Sequence, residues 1–86
     1  MRTIVFAPEA LKDLNEWKET NQKIANRIVA LITAIHENPF SGIGKPEPLK
    51  HGLKGKWSRR ITLEHRLVYE VTDEFIKIIS CKYHYS

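Results

Sequence analysis

The sequence predicts an α+β fold in which two N-terminal helices pack on one face of a small, mostly antiparallel sheet. Three observations support this fold class. The first half holds two stretches with apolar residues at helical spacing, the second half holds three short β-rich runs, and a Pro- and Gly-rich segment separates them. At 86 residues the chain is expected to form a single domain over residues 1–86, with a core that has little spare stability.

The first predicted elements are a strand and a helix. Residues 3–6, Thr-Ile-Val-Phe, are rich in β-formers and end before Pro8. Pro8 suits the first position of a helix, where its missing N–H is not needed, and Glu9 in the first turn favours the helix dipole. The apolar residues that follow at helical spacing are Leu11, Leu14 and Trp17. This pattern predicts a helix over about residues 8–19, ended by Thr20 and Asn21.

A second amphipathic helix follows this break and ends at Asn38 and Pro39. Its apolar stripe has the i, i+4, i+7, i+8, i+11 spacing of one helix face and consists of Ile24, Ile28, Leu31, Ile32 and Ile35. Charged side chains lie off the stripe. Both stripes are interpreted as packing surfaces of the core.

The second half is predicted to be a loop followed by three strands. Residues 41–48 contain two Gly and two Pro, which excludes regular structure there. The strand-like runs are residues 57–61, 65–71 and 75–85, and the short turns between them predict antiparallel neighbours. By period two, the second strand places Leu67, Tyr69 and Val71 on one face and Arg66, Val68 and Glu70 on the other; the third places Ile79 and Cys81 on its apolar face. One face of the sheet is then left for partners.

Composition excludes several classes of protein. The single cysteine excludes an internal disulfide framework, which is consistent with a reducing, cytoplasmic location. No apolar run approaches the roughly 20 residues of a membrane helix, so no membrane association is expected. The one Cys and four His lack paired-ligand spacing, so neither a metal site nor any other cofactor is predicted. The run at residues 42–45 lacks the spacing of a phosphate-binding loop.

Positive charge is concentrated in one quarter of the chain. Residues 1–44 carry five basic and five acidic side chains, and residues 67–86 carry two and three. Residues 45–66 carry seven basic side chains against two acidic ones, a local net charge of +5 within a chain of net +4. Such segregation suggests a polyanionic partner, although a solvated basic loop would have the same composition.

Three polar residues in and near this basic region could carry chemistry together. Cleavage of RNA can use its own 2′-hydroxyl as nucleophile. It then needs a general base, a general acid and a cation that stabilises the phosphorane. Glu47, held between two prolines, Arg66 on the polar face of a strand, and His84 near the end of the chain have these chemical properties. Arg suits a phosphate better than Lys because its planar fork donates two parallel hydrogen bonds.

Four motifs resemble one known family. In chain order they are Gly44-Lys45-Pro46-Glu47-Pro48-Leu49-Lys50-His51, Trp57-Ser58-Arg59-Arg60-Ile61, Glu64-His65-Arg66-Leu67-Val68-Tyr69 and Cys81-Lys82-Tyr83-His84-Tyr85. They resemble the YoeB (Txe) toxins of the RelE/ParE toxin–antitoxin superfamily. The resemblance covers essentially the whole chain and departs from the family's pattern at Ser86, which follows the usual final Tyr.

This resemblance implies a microbial RNase-like, RelE-like fold and cleavage of messenger RNA in the ribosomal A site. It implies Glu47 as general base, Arg66 as the phosphate-stabilising residue and His84 as general acid, with Tyr85 stacking on a base. Lys50, Arg59 and Arg60 match positive positions on an RNA-facing surface. The implied partners are a YefM/Axe-like antitoxin, the ribosome with its message, and a second copy in a homodimer.

Two other functions remain open at this level. A ParE-like toxin would inhibit DNA gyrase by binding it, but such relatives lack the Glu, Arg and His set. A basic RNA-binding module without catalysis would have no use for Glu47 inside the positive cluster, because a carboxylate repels phosphate.

Overall fold

The computed structural model describes residues 2–50 and 55–83. Within them the elements are strand β1 (Thr3–Phe6), helices α1 (Pro8–Thr20) and α2 (Gln22–Glu37), and strands β2 (Glu47–Pro48), β3 (Lys56–Arg60), β4 (Arg66–Val71) and β5 (Phe75–Ser80). No helix in these ranges has the length and apolar character to cross a membrane.

The two helices begin and end where the sequence predicts. Pro8 occupies the first turn of α1, and Asn21 separates the helices. The Asn21 backbone N–H donates to Trp17 O at 2.7 Å, while its side chain accepts from Ile24 N at 3.3 Å. One residue thus closes α1 and caps α2, so no longer linker is needed.

The five strands form one mixed sheet in the order β1-β5-β4-β3-β2. Strands β2, β3, β4 and β5 are antiparallel neighbours, and only β1 pairs in parallel, with β5. The predicted α+β fold with a mostly antiparallel sheet is confirmed. The prediction that residues 41–48 contain no regular structure was wrong at their end. Glu47 and Pro48 form a two-residue edge strand that pairs with Ser58 and Trp57.

The core lies between the helices and one face of the sheet. Helix residues that include Ile28, Leu31 and Ile35 are fully buried there, as predicted from their stripe. On the sheet side, Leu67 and Tyr69 are also fully buried. Alternation along β4 therefore directs Arg66, Val68 and Glu70 to the opposite face, as predicted.

A β-bulge corrects the predicted alternation of the last strand. Tyr69 pairs with Ile78, but the adjacent Val68 pairs with Ser80, so β5 carries one extra residue, Ile79. The buried residues are consequently Ile78 and Cys81, whereas simple period two had placed Ile79 with Cys81. The strand also ends at Ser80, because residues 81–83 leave the sheet, while residues 84 and 85 of the predicted strand lie outside the described ranges.

Candidate active site

We call the sheet face opposite the helices the open face. Glu47, Ser58, Val68 and Ser80 are register partners in one row across β2, β3, β4 and β5. Val68 and Ser58 are buried, at 1% and 9% exposure, whereas Glu47 is exposed. Glu47 therefore lies at the exposed β2 edge of this row.

Two arginines form the next row on the same face. Arg60 and Arg66 are direct cross-strand partners, two residues along from Ser58 and Val68. With strands about 4.8 Å apart and a rise of about 3.4 Å per residue, the Cα atoms of Glu47 and Arg66 are about 12 Å apart. Both side chains are long enough to contact one small anion between them. The structure therefore brings the predicted Glu47 and Arg66 onto one surface.

The arginine pair places two like charges opposite each other. Like charges opposite each other in a sheet are destabilising. The ion pairs present among residues 2–50 and 55–83 are His65–Glu64 and Lys82–Glu16, so neither arginine is paired with a carboxylate there. The Arg60 Nε atom is also buried without a hydrogen-bond partner in that part of the chain. An anion bound on the open face would offset the repulsion between the two arginines.

The turn between β3 and β4 orients Arg66. Its Nη1 donates to Thr62 O at 3.2 Å and to Leu63 O at 3.5 Å, so one edge of the guanidinium is attached to the turn. The Arg66 backbone N–H donates to Tyr83 O at 3.1 Å. The described end of the chain is therefore beside Arg66. His84 and Tyr85, predicted as acid and stacking residue, lie outside the described residues.

Arg59 has to be removed from the predicted RNA-facing surface. It has 0% exposure, and its guanidinium is used inside the protein. It donates to Asn38 O at 2.7 Å, Ser41 O at 2.9 Å, Ile43 O at 3.1 Å and the Tyr69 hydroxyl at 3.2 Å. Alternation along β3 explains the difference, because neighbours in a strand face opposite sides and Arg60 faces the open side. Lys50, by contrast, is exposed, shortly after Glu47 in the chain.

Arg59 nevertheless supports the site through the loop before Glu47. Three of its four hydrogen bonds attach this loop to β3, the fourth joins Tyr69 of β4, and Arg60 N donates to Gly44 O at 2.7 Å. Gly44 has φ 85°, and a Cβ there would lie 2.8 Å from Leu31 Cδ2 and 3.2 Å from Arg59 Cβ. Only glycine fits this position, and the loop therefore delivers Glu47 to the edge of the sheet in one register.

Sequence reasoning missed two buried polar residues near the site, Asp13 and His65. Asp13 Oδ2 accepts from Cys81 N at 2.9 Å, and His65 Nδ1 accepts from Tyr83 N at 2.9 Å. The first had a detectable signal, since Asp13 falls on the apolar stripe of α1, between Ala10 and Trp17. An acid at a core position needs a buried partner.

Cys81 is not a nucleophile. It is fully buried, and burial, followed by the nearby Asp13 carboxylate, raises the pKa of its thiol to about 12. At pH 8 only about one thiol in 10⁴ would be ionised, and the thiolate is the reactive form.

We expect native protein to resist iodoacetamide at pH 8 and to be labelled fully in concentrated urea, as followed by mass spectrometry. Rapid stoichiometric labelling of the native protein would contradict this.

No three His, Cys, Asp or Glu side chains within residues 2–50 and 55–83 are grouped so that they could hold a metal ion. At the Glu47 end of the open face, the functional groups are the Glu47 carboxylate and the guanidinium groups of Arg60 and Arg66. This set can remove a proton and stabilise negative charge on a phosphate without a metal.

Comparison with known proteins identifies the family. A family model described as "YoeB-like toxin of bacterial type II toxin-antitoxin system" matches residues 6–85. The chain belongs to this family. The toxin is 51% identical over 82 residues to Toxin YoeB of Escherichia coli K12, an alignment that covers 95% of this chain and 98% of the relative.

Two solved structures from Staphylococcus aureus match almost the whole toxin. One is described as a YoeB dimer, with a TM-score of 0.90, 48% identity and coverage of 98% of both chains. The other is a YoeB–YefM complex, with a TM-score of 0.86, 49% identity and coverage of 99% of both chains. This chain is thus a toxin of a type II toxin–antitoxin system, and its fold is that of YoeB toxins.

Proposed function

We propose that this toxin is a ribosome-dependent endoribonuclease that cleaves messenger RNA in the A site and so inhibits translation. One observation carries the proposal: Glu47 shares the open face with the Arg60–Arg66 pair, which has no carboxylate partner within residues 2–50 and 55–83. A carboxylate next to guanidinium groups suits a reaction that both removes a proton and accumulates charge on phosphate.

The reaction proceeds by general acid–base catalysis. Glu47 takes the proton of the RNA 2′-hydroxyl, and the 2′-oxygen attacks the adjacent phosphorus. Arg66 stabilises the phosphorane, whose added charge its planar fork can bind with two hydrogen bonds. His84 then protonates the departing 5′-oxygen, while Tyr85 stacks on a neighbouring base. The products are a 2′,3′-cyclic phosphate and a 5′-hydroxyl, and no metal is needed because the nucleophile belongs to the substrate.

Lys50 and Arg60 bind the RNA backbone by charge. Lys50 is exposed and Arg60 lies beside Arg66, so both extend the positive surface around the reacting phosphate. Arg59, which is internal, has no part in this. When cationic side chains contact RNA phosphates, counterions are released from the RNA, which makes binding sensitive to salt.

Replacing Lys50 and Arg60 together by Gln should weaken ribosome binding and flatten its salt dependence. For single-stranded RNA the log–log slope is about −0.7 per neutralised phosphate, so losing two contacts should reduce it by about 1.4. Filter binding across a salt series measures the slope. The matched control is Lys18→Gln together with Lys23→Gln, which removes the same charge from the exposed helix side. Equal slopes for both double variants would contradict the assignment.

The toxin's protein partners are an acidic YefM/Axe-like antitoxin and a second copy of the toxin. The S. aureus relatives were solved as a YoeB–YefM complex and as a dimer. A disordered acidic segment that folds on binding can wrap a large surface, and here it would neutralise the open face and the basic residues around it. Such binding also protects the host from a free ribonuclease.

The test is cleavage of a defined message on purified ribosomes. We expect cuts within the A-site codon, 5′-hydroxyl and cyclic or 3′-phosphate ends, and no cleavage when the antitoxin purified from the same operon is added. End groups are analysed after the ribosomes are removed, since ribosomes themselves need magnesium. A 5′-phosphate product, or intact message with a DNA-damage response on expression in cells, would overturn the proposal.

A further inference from the structure

The chain beyond β5 is held by side chains and by one backbone hydrogen bond from β4, which Arg66 N donates to Tyr83 O. After Ser80 the backbone has no ladder partner in the sheet, yet both polar groups of Cys81 and of Tyr83 are hydrogen-bonded. Cys81 N donates to Asp13 Oδ2 and Cys81 O accepts from Trp17 Nε1, each at 2.9 Å. Tyr83 N donates to His65 Nδ1 at 2.9 Å. We call Asp13, Trp17 and His65 the clamp.

Two further contacts strengthen the attachment of residues 81–83. Lys82 Nζ is 3.1 Å from Glu16 Oε2, and this hydrogen bond raises the pKa of Lys82. The rings of Trp17 and His65 pack edge to face with centroids 4.9 Å apart, which joins the helix side of the clamp to the β3–β4 turn. Helix α1 and the turn that carries Arg66 therefore hold the segment from two sides.

Tyr83 adopts a conformation that needs such support. Its φ is 62°, in the left-handed region, which is unfavourable for a non-glycine residue. Two hydrogen bonds fix it there, from its N–H to His65 and from Arg66 N to its carbonyl. Because a backbone N–H can only donate, His65 Nδ1 must be the acceptor and the ring proton is on Nε2. His65 therefore holds the backbone of Tyr83, the last described residue before His84 in the chain.

We infer that His65, together with Asp13 and Trp17, is a positioning residue: it fixes the backbone of Tyr83 beside Arg66, and Tyr83 directly precedes the proposed general acid His84 in the chain. This inference rests on the proposed ribonuclease activity. A domain of this size gains little by using three side chains, two of them the buried polar Asp13 and His65, merely to hold residues 81–83. The same three side chains are well used if the residue after Tyr83 must protonate a particular atom, since small misplacements of catalytic groups can cost about 10²-fold in rate.

The experiment compares His65→Leu with His65→Asn in single-turnover cleavage on saturating programmed ribosomes. Leu removes the acceptor of the Tyr83 N–H. Asn keeps an acceptor, because its Oδ1 is bonded to Cγ as Nδ1 is in His. We expect His65→Leu to slow cleavage by about 10- to 100-fold with ribosome affinity within about twofold of wild type. His65→Asn should recover most of the rate.

Two further variants separate positioning from loss of stability. Ile35→Val trims the core away from the clamp and should leave the rate unchanged below its melting temperature. Trp17→Phe keeps a ring beside His65 but loses the donor to Cys81 O, so a several-fold slower rate is expected even if His65→Leu does not fold. Wild-type rates in His65→Leu or Trp17→Phe, or a folded His65→Asn as slow as the Leu variant, would overturn this inference alone. Failure of the unsubstituted toxin to cleave would instead overturn the proposed function, and this inference with it.

Discussion

Glu47→Gln should slow single-turnover cleavage of ribosome-bound message by about 10²–10⁴-fold, because the amide cannot accept the 2′-hydroxyl proton. The change keeps the size of the side chain, and Glu47 is exposed at the edge strand, so folding and ribosome binding should stay close to wild type. Arg66→Lys should also be severely impaired, since a point charge cannot replace the guanidinium fork.

The chain offers a matched control for this prediction. Glu70 is a carboxylate on the same open face, but it lies opposite Lys56 and Lys77, four residues along β4 from Arg66. Glu70→Gln should therefore cleave at nearly the wild-type rate. If Glu47→Gln and Glu70→Gln were equally active, Glu47 could not be the base.

The acid and the base should also be interdependent. A group that works only with its partner gives non-additive losses, so Glu47→Gln combined with His84→Gln should cost less than the sum of the single changes. Full activity in His84→Gln would remove it from the mechanism and leave protonation of the leaving oxygen to another group.

Arg59→Met should lower the free energy of unfolding by about 3 kcal/mol or more. The substitution leaves three loop carbonyls and the Tyr69 hydroxyl without the donor they share. Hydrogen bonds to charged groups contribute about 1.5–3 kcal/mol each, and buried acceptors left unpaired cost more than that net value suggests. In a domain of this size each kcal/mol shifts the melting temperature by about 4–8 °C, so a decrease of roughly 12 °C or more is expected.

Urea unfolding and thermal melts measure this effect, and the adjacent residue supplies the control. Arg60→Gln removes an identical side chain from the open face, so its effect on stability should be within about 0.5 kcal/mol. Arg59→Lys should remain destabilised, because one ammonium group cannot reach four acceptors spread around a planar fork. Equal stability of Arg59→Met and Arg60→Gln would contradict the internal role of Arg59.

The sequence alone determined the order of the elements and the opposite faces of β4. Helical spacing, Pro8 and the Asn21 break define the two helices, since these signals act over a few residues and do not depend on the fold. Period two separates Arg66 from Leu67 and Tyr69 for the same reason. The motif around Glu47 was also recognisable, although its pairing with β3 was not, because a two-residue strand that includes Pro48 shows no alternation.

Only the tertiary structure decided what depends on residues distant in the chain. Arg59 and Arg60 look equivalent in the sequence, but the pairing of β3 buries the first and leaves the second beside Arg66. The bulge at Ile79 places Ile78 instead of Ile79 in the core together with Cys81, whose burial the alternation had predicted. Asp13 and His65 acquire their roles from contacts 68 and 18 residues away along the chain. No local periodicity encodes such contacts, since they arise when α1 and the β3–β4 turn close around the same segment.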